Sequence, residues 1–148
     1  PIFRDRIMLM VSTRNPLSKQ KTVTISQIAE QPLIFPKTGF TRQLLDKLFR
    51  PYRGQLRIVM EIPSISMIKR FVAAGLGVSL ISASYTKDQV RSGEAKLLPV
   101  EDVDLWRELA LVYRADRTLP RAATAFIDLC QQRAASVPPK AGAVGATD

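Results

Sequence analysis

The sequence has no histidine, a single cysteine and a single tryptophan in 148 residues. Without histidine, the commonest side chain for acid and base work near neutral pH and the commonest transition-metal ligand are both missing. Cys130 on its own excludes an internal disulfide and any multi-cysteine zinc site. No two carboxylates have a spacing that suggests paired acid–base chemistry. These gaps argue against an enzyme and leave no catalytic residue, metal ligand or cofactor-binding motif to name. Apolar runs are short as well: none approaches the ~20 residues that a membrane-spanning helix needs. The opening PIFRDRIMLMV is too brief in its apolar part, and lacks the small-residue cleavage site, of a secretory signal. The expected location is the cytoplasm.

What is present is the composition of a folded protein, 46% hydrophobic with a mean hydropathy of +0.01. Lysine and arginine number 22 against 13 acidic residues, a net charge of +9, which favours anionic partners. Basic residues such as Arg50, Arg53, Lys69 and Arg70 are scattered over several elements. They lack the aromatic interleaving of a surface for single-stranded nucleic acid, so a solvated basic face is the default. The residues after Arg133, AASVPPKAGAVGATD, have no periodicity and are rich in Ala, Gly and Pro. They are expected to form a disordered tail over 134–148.

Between these ends, strands and helices alternate. The run RIMLMVST, Arg6 to Thr13, fits a buried strand closed by Asn15-Pro16. Thr24 followed by Gln27 has the form of a capping box for a short helix that Pro32 stops, and Leu33 to Phe35 is a brief strand. A helix after Pro36 places Leu44, Leu45, Leu48 and Phe49 on one face, with Asp46 four residues before Arg50 on the other. Gln55 to Ile62 reads as a strand, Ser64 as an N-cap for a helix from Ile65 to Ala74, and Val78 to Ile81 as a second strand. That order predicts a β-α-β unit with parallel strands, Gly75 serving as the helix C-cap and Gly77 as a close-packing glycine. SASYTKDQVRSG is a polar helix closed by Gly93, AKLLPV a strand, and Leu105 to Arg114 the longest strand candidate. A last helix after Pro120 carries Ala123, Phe126, Ile127 and Cys130 on one stripe. The pattern is that of an α/β fold with a mostly parallel sheet, in which ligands bind beyond the carboxyl ends of the strands.

Two helix starts follow strands and are rich in hydroxyls: Lys37-Thr38-Gly39-Phe40-Thr41 and Pro63-Ser64-Ile65-Ser66. A helix start offers unpaired N–H groups and the positive end of the backbone dipole, a seat for a small anion. Lys37 and Arg42 add positive charge there, and Gly39 removes a Cβ from the path of a ligand. Capping alone accounts for Thr38 or Thr41 and for Ser64. Thr41 and Ser66 together exceed what capping requires, and both readings stay open on the residues alone.

In order, LMVSTRNPLSKQKTVTISQIAEQPLIF, TGFTRQLLDKLF, IVMEIPSISMIKRFVAAGLGVSLIS and LALVYRADRTLPRAATAFIDLC make the chain similar to the effector-sensing domain of LysR-type transcriptional regulators. The third segment carries most of the likeness, which runs from about Arg6 to Gln132. The resemblance implies a periplasmic-binding-protein-like fold of type 2, two α/β lobes with an effector in the cleft between them. On that reading residues 1–10 are a strand and hinge from the first lobe, 11–108 the second lobe, and 109–133 the return to the first lobe with its terminal helix. It implies a small-molecule effector, contacted at Thr38, Gly39, Phe40 and Thr41 and at Pro63, Ser64, Ile65 and Ser66; the net charge and the two helix starts make a small organic anion the expected kind. It further implies a winged helix-turn-helix upstream of Pro1 as the DNA-binding part, and a homodimer or homotetramer as the working state. A solute-binding protein of a transport system, with the same fold, is the alternative. Leu119 departs from the family pattern, standing where Ser or Thr commonly caps the last helix and leaving Thr118 as a weaker cap.

Overall fold

The computed structural model describes residues 2–114 and 116–136. The chain divides into a larger unit, Asp5–Arg107, and a smaller one made of the residues before Asp5 and after Arg107. Sequence reading placed residues 5–10 outside the larger lobe, but Ile7 pairs with Ser82 and Leu9 with both Leu80 and Leu98, inside its sheet.

The larger unit is a sheet covered on both faces. Its strands are β1 (Phe3–Ser12), β2 (Pro32–Pro36), β3 (Arg57–Ile62), β4 (Ser79–Ser82), β5 (Ala95–Leu98) and the start of β6 (Trp106–Leu109). β1 runs antiparallel between β4 and β5, and β2 pairs parallel with β3. A parallel bridge from Leu33 to Val78 joins the two sets, giving the order β3-β2-β4-β1-β5. Only β1 opposes the other four.

Successive side chains of a strand point to opposite faces, and here both faces are buried, which is why RIMLMV shows no polar alternation. Leu9, Val11, Leu33, Phe35 and Leu80 face one core, where α1 (Ile25–Ala29) and α2 (Phe40–Leu48) contribute Ile28 and Leu45. Met10, Ile34 and Ile81 face the other, where α3 (Ile65–Ala73) contributes Ile68 and Val72. Phe35 and Phe49 meet in the first core with ring centres 5.8 Å apart.

Local signals hold where their partners are local. Thr24 Oγ1 accepts from Gln27 N while Gln27 Oε1 accepts from Thr24 N, the reciprocal box read from the sequence. Gly75 has φ +82°, and the N–H groups of Gly75 and Leu76 donate to Val72 O and Phe71 O, a Schellman ending. α4 is short, Lys87–Arg91, after a 3-10 turn at Ala83–Thr86.

Several expectations are corrected. β3 and β4 are parallel but not neighbours, because β2 lies between them: Val78 N donates to Pro32 O and Ile34 N to Val78 O. Gly77 makes room for that strand, since a Cβ there would stand 2.7 Å from Pro32 O. Asp46 pairs with Arg42, one turn earlier, instead of Arg50. β6 stops at Leu109 and β1 is the longest strand, because a strand extends only as far as a neighbour pairs with it.

In the smaller unit Ile2 N donates to Leu109 O, and α5 (Arg121–Ser136) begins directly after Pro120. The helix runs three residues past Arg133, into the stretch expected to be a disordered tail, and the rest of that stretch, 137–148, lies outside the described residues. On its stripe Ile127 and Cys130 are half-buried and Phe126 is exposed.

Candidate functional site

β2 and β3 end level with one another: Pro36 pairs with Ile62, and Lys37 N donates to Ile62 O at 3.0 Å. The chain leaves each strand at the same edge of the sheet, and each exit leads into a helix. Adjacent parallel strands therefore bring the starts of α2 and α3 to one side of the larger unit, as their common direction requires.

The two starts differ in chemistry. At α3, Ser64 is the N-cap and its hydroxyl accepts from Met67 N at 3.5 Å, so capping explains Ser64. At α2 the N-cap is Gly39, with φ +95° and no side-chain cap hydrogen bond. Neither Thr38 nor Thr41 caps this helix, contrary to the capping reading. Gly39 has φ +95°, a backbone that favours glycine, and a Cβ there would meet no protein atom within 4 Å.

Of the eight residues singled out from the sequence, Thr41 and Ile65 line one hollow of about 70 Å³. Its apolar side includes Pro36 and Ile68, and its polar side Ser82, Tyr85 and Arg107. Lys37, Thr38, Gly39 and Phe40 are exposed, as are Pro63 and Ser66, and none of these lines the hollow. Ser64 is half-buried and occupied by its capping bond.

Arg42 was expected to supply positive charge and is instead engaged. Its Nη1 donates to Glu61 Oε1 at 2.7 Å and to Pro36 O, and its Nε bonds Asp46 at 2.9 Å. The hydrogen bond with Glu61 is the largest influence raising its pKa above the ordinary arginine value; burial pulls the other way, and Asp46 raises it further. The guanidinium also lies 5.6 Å from the centre of the Phe35 ring.

The cation that does face the hollow, Arg107, was missed by sequence reading. It stands on β6 between Trp106 and Glu108, where nothing in the local pattern marks it. Ser82 and Tyr85 were equally unmarked: Ser82 ends β4, where it pairs with Ile7 of β1, and Tyr85 lies in the 3-10 turn that follows. Lys69 Nζ donates to Tyr85 O at 2.8 Å, tying the segment after β4 to α3. Among the described residues no group of three or more His, Cys, Asp or Glu side chains is placed to hold a metal ion. No helix of the described residues is long and apolar enough to cross a membrane.

A layered α/β unit with two helix starts over the carboxyl ends of adjacent strands belongs to the class of small-ligand-binding folds. The model of the LysR substrate binding domain matches residues 1–135, and the chain belongs to that family. Among curated proteins it is 28% identical over 127 residues to the HTH-type transcriptional activator CmpR of Synechocystis, covering 85% of this chain and 42% of the relative. It is 30% identical over 128 residues to the RuBisCO operon transcriptional regulator of Acidithiobacillus ferrooxidans, covering 85% and 41%. The chain thus spans less than half the length of these relatives. Among solved structures, the Synechocystis CcmR regulatory domain in complex with 2-PG superposes with a TM-score of 0.77 at 20% identity, over 94% of this chain and 67% of that one. The effector-binding domain of QuiR in complex with shikimate gives 0.70 at 18% identity, over 91% and 64%. These likenesses establish the periplasmic-binding-protein-like fold, and the curated relatives are transcriptional regulators, which does not favour the solute-transport alternative.

Proposed function

We propose that this chain receives a small anionic effector on behalf of a LysR-type transcriptional regulator. The acidic group sits at the helix start Thr38, Gly39, Phe40 and Thr41, with the junction Pro63, Ser64, Ile65 and Ser66 on the facing side. The observation that carries this reading is the first turn of α2: no side chain caps its amides, and Thr41 borders a hollow that also holds Arg107. Unpaired amides at a helix start favour an anion through both hydrogen bonding and the backbone dipole. The regulatory domains of CcmR and QuiR, obtained with 2-PG and with shikimate, lend support by fold.

In the whole regulator, DNA is contacted through a domain outside this chain, the protein works as a homodimer or homotetramer in the cytoplasm, and the effector changes that assembly without being chemically altered. No catalytic step is assigned to this domain. Calorimetric titration with a panel of small organic acids, 2-PG and shikimate among them, tests the site. Thr41→Ala and Ser66→Ala should each weaken whichever acid binds, and unchanged affinity in both variants refutes the assignment.

A further inference from the structure

Arg107 is a cation in an unusual position. Its side chain retains 19% of its exposure, and it lines the hollow beside Thr41. Among the described residues it is held in two ways: Nη2 stands 3.8 Å from Asp5 Oδ2, and the guanidinium carbon lies 4.6 Å from the centre of the Tyr85 ring. The first distance is too long for a hydrogen bond. Asp5, 5% exposed, is itself already engaged, since Ser84 donates to its carboxylate from both N and Oγ. The Nε of Arg107 is buried with no hydrogen-bond partner.

Guanidinium groups taken out of water are ordinarily satisfied by several acceptors, because a buried charge without them is costly. Here one carboxylate lies at a distance on one side and an aromatic face supports the ion, an arrangement that orients the guanidinium and leaves its donors unspent. The hollow next to it offers an apolar wall at Pro36, Ile65 and Ile68 and a polar one at Thr41 and Ser82. Its volume, about 70 Å³, accommodates a few heavy atoms: an acid group and the first carbons of its skeleton.

Resting on the reading of the site given above, we propose that Arg107 is the cationic anchor of the hollow and pairs with a carboxylate of the effector. The carboxylate lies between the guanidinium and the start of α2 near Thr41, and the adjoining carbons lie against Ile65 and Ile68. A planar carboxylate matches the planar guanidinium fork, which gives the pair direction as well as charge. Asp5 and Tyr85 act as positioning residues that hold the fork toward the hollow.

The test uses the 148-residue chain and sodium acetate as the probe, followed by nuclear magnetic resonance at the Arg107 Nε–H and the Thr41 amide, with neutral acetamide and inorganic phosphate as the other arms. Both signals are expected to move with acetate and to stay in place with acetamide. Arg107→Gln should weaken acetate at least tenfold, and Arg107→Lys should restore part of the loss by returning the charge without the fork. Thermal unfolding and the amide spectrum show whether each variant is folded; if Arg107→Gln unfolds, the Nε–H shift in the unaltered chain decides alone. Movement of the Thr41 amide without the Arg107 signal overturns the anchor and leaves the helix-start reading standing. Silence of both signals overturns the two together. Tighter binding of phosphate than of acetate overturns the carboxylate assignment, and an Nε–H signal that no anion moves identifies a group satisfied by water only.

Discussion

The starts of α2 and α3 look alike in sequence and differ in what they do with their hydroxyls. TGFT and PSIS both follow a strand, both carry two hydroxyl residues, and both open a nine-residue helix with one face in a core. At α3 a serine hydroxyl is spent on the first turn of its own helix, through Met67 N. At α2 the capping position is glycine, and the turn's amides receive no side chain. A hydroxyl near a helix start is therefore not one kind of feature: where it caps, it stabilises the fold, and where glycine holds the cap position the first-turn amides have no side-chain partner. Glycine at that position costs little as a cap in its own right, only a few tenths of a kcal/mol against the best residues.

The comparison can be broken most strongly from beneath. Leu45→Ala under α2 and Ile68→Ala under α3 each remove a side chain with 0% and 1% exposure, and each should cost about 2–5 kcal/mol in denaturant unfolding. Comparable losses confirm that the two helices are equally rooted and differ only at their ends; a much smaller loss at Leu45 shows that α2 is loosely held. Next in size is Gly39→Ala: φ +95° with ψ −177° is a backbone region used almost only by glycine, and alanine there should cost about 1–3 kcal/mol. An equally stable variant means that the turn relaxes out of φ +95°. Ser64→Ala should then cost about 1 kcal/mol through its lost cap. Thr38→Ala, at an exposed position, and Thr41→Ala, half-buried at the hollow, should each leave stability within about 0.5 kcal/mol, since neither side chain caps the helix. A large stability loss in either threonine variant means that it supports the fold after all. The smallest effect concerns Glu61→Ala, which removes the partner of Arg42's shortest pair. Exposed pairs contribute under about 1 kcal/mol, so stability should hardly change. Anion affinity at the start of α2 should rise slightly as the guanidinium is freed, and unchanged affinity shows that Arg42 stays fixed by Asp46.

Much of the fold was legible, and the reason differs from element to element. The capping box at Thr24 and Gln27, the cap at Ser64 and the left-handed ending at Gly75 are all formed among residues within one or two turns, so residue type and spacing suffice. The apolar run of β1 was legible as buried because both faces of the sheet are covered. The order of the strands was not legible, since the insertion of β2 beside Val78 depends on Gly77 leaving room for Pro32 O. The extent of β6 was misjudged for a related reason: apolar and β-branched residues from Leu109 to Tyr113 suit a strand, but strand length is set by the neighbour. At the candidate site, Thr41 and Ile65 were found because helix starts after strands can be located from sequence. Arg107 was not, since an arginine on a short strand has no signature of its own.

By itself the sequence determined the capping box at Thr24, the cap at Ser64, the ending at Gly75, the apolar segments that enter the core and the absence of histidine chemistry, because each of these depends on a residue's own type and its near neighbours. Only the tertiary structure decided that Arg42 is consumed by Glu61 and Asp46 while Arg107 faces the hollow by Thr41. The two arginines carry the same charge, and what separates them is the carboxylates within reach: Asp46 lies one turn away on the same helix, and Glu61 is brought to Arg42 by the pairing of β2 with β3, whereas Arg107 has, among the described residues, only the more distant Asp5.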